Sequence, residues 1–111
     1  MDCVFCKIAS GEIPSTKVYG DDVCVAFKDL EPQAPVHVLI IPRTHIASAA
    51  DITPENSAIV AHIFEVAAKI AKEQGLEGWR IVSNVGKDGG QTVMHLHFHL
   101  LGGRSMAWPP G

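Results

Sequence analysis

The run His95-Leu96-His97-Phe98-His99-Leu100-Leu101 sets an imidazole at every second position and an apolar side chain in each gap. In an extended segment successive side chains leave opposite faces, so this alternation reads as a strand. Three histidines then share one face, roughly 6–7 Å apart, and the other face is wholly apolar. The apolar face requires a core. The histidine face requires a use, because burying three imidazoles is costly unless each finds a partner. Imidazole changes charge near neutrality and serves as nucleophile, acid, base or metal ligand. The spacing leaves two uses open: holding a catalytic metal, or handling a phosphoryl or acyl group directly.

At 111 residues the chain is read as a single domain spanning 1–111, long enough to bury a core without disulfide staples. Nine Lys and Arg against twelve Asp and Glu give a net charge of −3 with no basic tract, so neither extended nucleic acid nor an anionic membrane is expected as a partner. Any nucleotide ligand is therefore small. No stretch approaches the ~20 apolar residues needed to span a bilayer, and no leader pattern opens the chain, which is read as cytoplasmic. Three cysteines do not make a secreted disulfide framework. Cys3 and Cys6 form a Cys-x-x-Cys pair, whereas Cys24, among Val23, Val25 and Ala26, reads as a small buried hydrophobe.

Along the chain, residues 1–14 predict a short helical turn closed off by Pro14. Residues 16–19 and 23–28 read as strands around a Gly20-Asp21-Asp22 turn, and residues 37–42 as a third strand stopped by its proline. Thr53-Pro54 predicts a helix start. Ile59, Ile63, Val66, Ala67 and Ile70 then follow at helical spacing to Gly75, a helix of about twenty residues with one apolar face. His62 reads as a helix-surface residue with no assigned role. Residues 79–84 form a fourth strand, joined by a glycine-rich loop to the histidine strand. The expected architecture is α+β, one long helix against an antiparallel sheet of about five strands.

His95-x-His97-x-His99-Leu-Leu, preceded by Gly89-Gly90-Gln91-Thr92 and followed by Gly102-Gly103-Arg104, resembles the motif of the histidine-triad superfamily of nucleotide hydrolases and transferases. The likeness is greatest to its Hint branch, the purine nucleoside phosphoramidases, and runs from Cys3 to Trp108-Pro109-Pro110-Gly111. It implies a fold in which two subunits pair their sheets in a homodimer. It implies a structural zinc on Cys3, Cys6, His45 and His95, with no catalytic metal required. It implies that His97 attacks the α-phosphorus and carries the nucleotide covalently, with the Gly90 carbonyl fixing its tautomer. His99 would donate to a phosphate oxygen, and His37 would complete the proton-handling group.

The same resemblance sets Asn84 and Thr92 against the phosphate or leaving group, with Gly90 and Gln91 beside them in the nucleotide-facing loop. Asp29 would hold the ribose hydroxyls, and Phe5, Ile8, Phe27 and Leu30 would wall the base. Trp108 would reach the partner subunit's site. The implied substrates are purine nucleoside 5′-phosphoramidates and related acyl-adenylates, with a purine nucleoside monophosphate as product. Transferase relatives carry glutamine where His99 stands, which favours hydrolysis. A dinucleoside polyphosphate hydrolase, a catalytic metallohydrolase and a nucleotide-binding adaptor with incidental catalysis are the other readings.

Overall fold

The computed structural model describes residues 3–111. Helix α1, Val4–Ser10, is capped by Cys3, whose sulfur accepts from the Cys6 N–H at 3.3 Å. It stops at Gly11, not at the expected Pro14. Gly11 adopts φ 85°, a conformation that a β-carbon penalises, and returns its N–H to the Ile8 carbonyl.

Strands β1 (Lys17–Gly20), β2 (Cys24–Lys28), β3 (Val36–Pro42), β4 (Trp79–Val82) and β5 (Phe98–Gly102) form one antiparallel sheet in the order β1-β2-β3-β5-β4. Period-two alternation divides its residues between two faces. Cys24, Ala26, Val38, Ile40, Leu96, Phe98 and Leu100 turn toward helix α2 (Ser57–Glu73) and meet Ile63, Val66, Ala67 and Ile70 in the main core. Val25, Phe27, Leu39 and Ile41 turn the other way and pack with Phe5 of α1. Cys24 is fully buried, as its apolar neighbours predict. No helix among the described residues is long and apolar enough to cross a membrane.

Other boundaries also differ from expectation, and β4 ends at Val82 where a strand to Asn84 is expected. Helix α2 starts at Ser57, because Asn56 closes a separate turn: its Oδ1 accepts from Thr53 N at 2.7 Å and its N–H donates to the Thr53 carbonyl. The helix ends as expected at Gly75 (φ 70°), where Gly75 N–H reaches the Lys72 carbonyl and Leu76 N–H the Ala71 carbonyl, the paired bonds of a Schellman cap. Strand β5 starts at Phe98 rather than His95. Ladder pairing with β3 stops at Ile40 opposite Phe98. Beyond it, the Pro42 carbonyl accepts from the His95 ring, and the Leu96 N–H donates to the Ile46 carbonyl in the loop that follows β3.

His62, left without a role by the sequence, ties α2 to the β1–β2 turn. Its Nε2 lies 2.6 Å from Asp21 Oδ2, which also accepts from the Tyr19 hydroxyl, while Oδ1 accepts from the N–H groups of Val23 and Cys24. Partial burial alone pushes the Asp21 carboxyl up, but these donors together hold it well below the usual carboxylate range. Because the folded value is depressed, the contribution to stability is complete above the unfolded value near ~4 and is lost as pH falls below it. Asp21→Ala is expected to lower unfolding free energy by about 1–3 kcal/mol at pH 6 in urea denaturation, with a smaller gap from the parent at pH 3. Equal gaps at both pH values would count against this account.

Candidate active site and metal centre

Four of the expected metal ligands converge between α1, the segment after β3 and the approach to β5. The ligand atoms of Cys3, Cys6, His45 and His95 all lie within 4.8 Å of one another. Cys3 Sγ is 3.2 Å from His95 Nδ1, Cys6 Sγ is 3.4 Å from His45 Nδ1 and 3.5 Å from His95 Nδ1, and the two Nδ1 atoms are 3.2 Å apart. A tetrahedral zinc with ordinary bond lengths requires edges of about 3.6 Å for S···N and about 3.3 Å for N···N.

The hydrogen bonding also fits. His95 Nε2–H donates to the Pro42 carbonyl at 2.9 Å, which fixes the ring and directs the Nδ1 lone pair at the sulfurs. Burial, followed by the neighbouring Cys3, pushes the Cys6 thiol up, so the pocket lacks the positive charge that two thiolates require. A divalent cation would supply it.

The next histidine departs from this group. His97 Nδ1–H donates to the His95 carbonyl at 2.7 Å, leaving the lone pair on Nε2. The His97 ring meets the Phe5 ring edge-on at 5.0 Å and lies 5.1 Å from the His99 ring. His37, opposite Leu101 on β3, brings its Nε2 to 2.9 Å from His99 Nδ1 and 3.3 Å from Asp29 Oδ2. Burial pushes the His37 ring down against the opposing pull of Asp29. His99 is lowered to about 4, first by burial and then by the adjacent His97 and His37 rings, so it is neutral at physiological pH. Asp29, His37 and His99 form a second group whose ligand atoms lie within 4.8 Å of one another.

A cavity of about 270 Å³ has Phe5, Ile8, Phe27, Asp29 and Leu30 in its lining and no histidine; Phe5, against the His97 ring, and Asp29, against His37, connect it to these rings. Leu30 is 94% exposed, which suits a wall meant for a ligand and not for the core.

The family model described as scavenger mRNA decapping enzyme C-term binding matches residues 2–108. An uncharacterized HIT-like protein of Synechococcus elongatus is 54% identical over 111 residues, covering 99% of this chain and 97% of that protein. The chain belongs to the histidine-triad (HIT) family. The 14 kDa zinc-binding protein of Zea mays is 48% identical to it, covering 97% of this chain and 87% of its own. The crystal structure of a HIT family hydrolase from Legionella pneumophila matches with a TM-score of 0.97 at 53% identity, covering 99% of this chain and all (100%) of that one.

Within this HIT fold, one sequence expectation changes in detail: the acceptor for His97 Nδ1 is the His95 carbonyl and not that of Gly90. The Gln91 side chain is tied into its own loop, where its Oε1 accepts from the Gly86 N–H and its Nε2 donates to the Ala47 and Val93 carbonyls. The loop glycines answer to local geometry. Gly86 and Gly90 hold positive φ, and a β-carbon at Gly89 would fall 2.3 Å from the Val85 carbonyl.

Asn84 is half-buried with its amide facing Gly90, and Thr92 is exposed on the same loop. Trp108 is 82% exposed on a tail that Arg80 holds through the Ala107 carbonyl, so its expected role lies outside a single chain. Sequence reasoning missed Ser83, whose hydroxyl donates to the His97 carbonyl at 2.9 Å. The pairing of Val82 with His99 continues toward it, and extending that register by one residue on the fourth strand would have pointed to it.

Proposed function

We propose that this HIT protein is a hydrolase of the Hint type, cleaving purine nucleoside 5′-phosphoramidates and related acyl-adenylates at the α-phosphorus. The observation that carries the reading is the tautomer of His97: with Nδ1–H committed to a carbonyl, the neutral ring has its lone pair on Nε2, and the ring adjoins His99 and Phe5, a residue of the cavity wall. Likeness to the Legionella HIT family hydrolase supports the reaction class. Base and ribose bind against Phe5, Ile8, Phe27, Leu30 and Asp29. His97 Nε2 attacks phosphorus, the P–N bond to the amine breaks, and the amine leaves with a proton passed through the His37–His99 pair. Water then attacks the phosphorus and gives a proton back to the His37–His99 pair, the P–N bond to His97 breaks, and the monophosphate departs. His99 donates to a phosphate oxygen in the bound substrate, and Asn84 and Thr92 contact the phosphate or leaving group. His97→Ala and His97→Gly are expected to lower turnover of a fluorogenic adenosine phosphoramidate by at least about a thousandfold. Unchanged turnover in either variant would refute the assignment.

We also propose that Cys3, Cys6, His45 and His95 hold a zinc ion, in keeping with the name of the maize relative and with the edges and second hydrogen bonds of the group. With four protein ligands the ion would have no open position, so it would cross-link α1 to the sheet and neutralise two thiolates. Elemental analysis of protein never exposed to chelator is expected to give about one zinc per chain. Chelation is expected to lower the melting temperature, with activity lost alongside the fold. A metal content near zero in folded protein would remove the proposal, and immediate loss of activity in protein that stays folded would instead indicate a catalytic metal.

Two further parts of the reading concern assembly. Two subunits join through their β4 edges, where Trp79 is 42% exposed, and Trp108 of each shapes the leaving-group preference of the other. Light scattering is expected to give the mass of a dimer. Truncation after Ala107 is expected to change relative kcat/KM among amine leaving groups several-fold while the nucleoside preference stays the same. A monomeric parent, or unaltered leaving-group preference after truncation, would sink this part.

A further inference from the structure

We infer that the main-chain N–H of Gln33, held in place by Arg104, sets the tautomers of His37 and His99 and thereby decides which N–H the site presents to a phosphoryl group. The inference rests on the phosphoramidase reading for its catalytic consequence and on hydrogen-bond geometry for the rest. Gln33 N–H donates to His37 Nδ1 at 3.0 Å, so that nitrogen must carry a lone pair, and in the neutral ring the proton sits on Nε2. His37 Nε2 lies between two acceptors, His99 Nδ1 at 2.9 Å and Asp29 Oδ2 at 3.3 Å. With a donor facing it, His99 Nδ1 is the acceptor of that pair, and the proton of the neutral His99 ring is left on Nε2.

The opposite arrangement fails at its first link. Were His99 Nδ1 to carry the proton and donate to His37, the proton of His37 would move to Nδ1 and face the Gln33 N–H, donor against donor. A metal bridging Asp29, His37 and His99 meets the same obstacle, since it would require a lone pair on His37 Nε2.

The segment that carries this N–H is itself pinned. Arg104 Nε donates to the Gln33 carbonyl at 3.0 Å and its Nη1 to the Ser105 carbonyl at 2.9 Å. Gln33 Nε2 donates to the Glu31 carbonyl, and the Glu31 N–H donates to Asp29 Oδ1 at 2.8 Å. One loop thus presents both the N–H that orients His37 and the carboxylate that competes for its proton. The other titratable ring packed against the pair is His97, next to His99.

The test is ring-nitrogen NMR of the ¹⁵N-labelled full chain at pH 7, run beside turnover of an adenosine phosphoramidate. The parent is expected to show His37 and His99 both protonated on Nε2 and unprotonated on Nδ1. Gln33→Ala keeps the N–H and is expected to keep this pattern. Gln33→Pro removes the N–H and is expected to bring a population of His37 protonated on Nδ1, with kcat about ten- to a hundredfold lower and KM changed less. Arg104→Ala is expected to shift the same signals part of the way. His37 protonated on Nδ1 in the parent overturns the inference without any variant, and so does a Gln33→Pro chain that folds with parental tautomers. Expected tautomers in a parent that turns over no phosphoramidate would sink the hydrolase reading and leave the hydrogen-bond assignment standing. Turnover with the reverse tautomers would do the opposite.

Discussion

His95 is the residue on which the site depends, because three of its groups act in three directions. Its Nδ1 joins the Cys3, Cys6 and His45 group, its Nε2–H is held by the Pro42 carbonyl, and its own carbonyl receives the Nδ1–H of His97. The ring is fully buried, and burial pushes its pKa down, so the neutral form these bonds require is also the form favoured there. A substitution at His95 would therefore disturb the Cys/His group and, through a change in the backbone, the His97 ring beside it. Proline at position 42 contributes in a way sequence alone does not reveal. Lacking an N–H, it ends the ladder, and its carbonyl is left free for a side chain.

The alternation of histidines and apolar residues foretold the division of labour more accurately than the extent of the strand. Leu96, Phe98 and Leu100 enter the core under α2, and His97 and His99 occupy the opposite side, although regular pairing begins only at Phe98. Side-chain alternation survives a departure from the ladder because it requires only extended backbone. Ladder pairing also requires facing donors and acceptors, and on the β5 side of β3 it stops at Ile40, although β3 itself continues, paired with β2, to Pro42. The Cys/His group, the histidine cluster and the apolar cavity lining could be named from the motif because their chemistry resides in distinctive side chains. Gln33, Ser83 and Arg104 could not. Gln33 acts through a main-chain N–H, which every residue but proline has, and the other two through donors to main-chain carbonyls. The Asp21–His62 bond escaped for a different reason: it joins positions 41 apart, in a turn and on a helix, and neither looks unusual locally.

Six histidines and three cysteines in so short a chain would be a liability if their polar atoms were buried without partners. Among the described residues no buried side-chain nitrogen or oxygen lacks one. For His37, His95 and His97 one ring nitrogen each meets a backbone amide or carbonyl, and these are rigid dipoles that do not titrate. They fix which ring nitrogen is protonated while leaving the ring neutral, a different solution from a charged counter-ion, which would raise the pKa and lose the lone pair that nucleophilic attack requires. Asp29 is the one carboxylate close to the pair, and at His37 and His99 its pull is outweighed by burial.

The Cys/His group and the cavity meet in α1. A helix of seven residues has too few internal hydrogen bonds to persist by itself, so its position must come from tertiary contacts. On one side those contacts are Cys3 and Cys6 at the histidine pair. On the other they are Phe5, packed against Phe27 at 5.7 Å and against both the His95 and His97 rings. Val4, Phe5 and Ile8 then form one wall of the cavity. The short helix converts an anchorage at its N-terminus into the placement of an apolar wall and of the ring that buttresses His97. The Cys/His group can thus influence the shape of the cavity and the orientation of the His97 ring although none of its four residues lines the cavity.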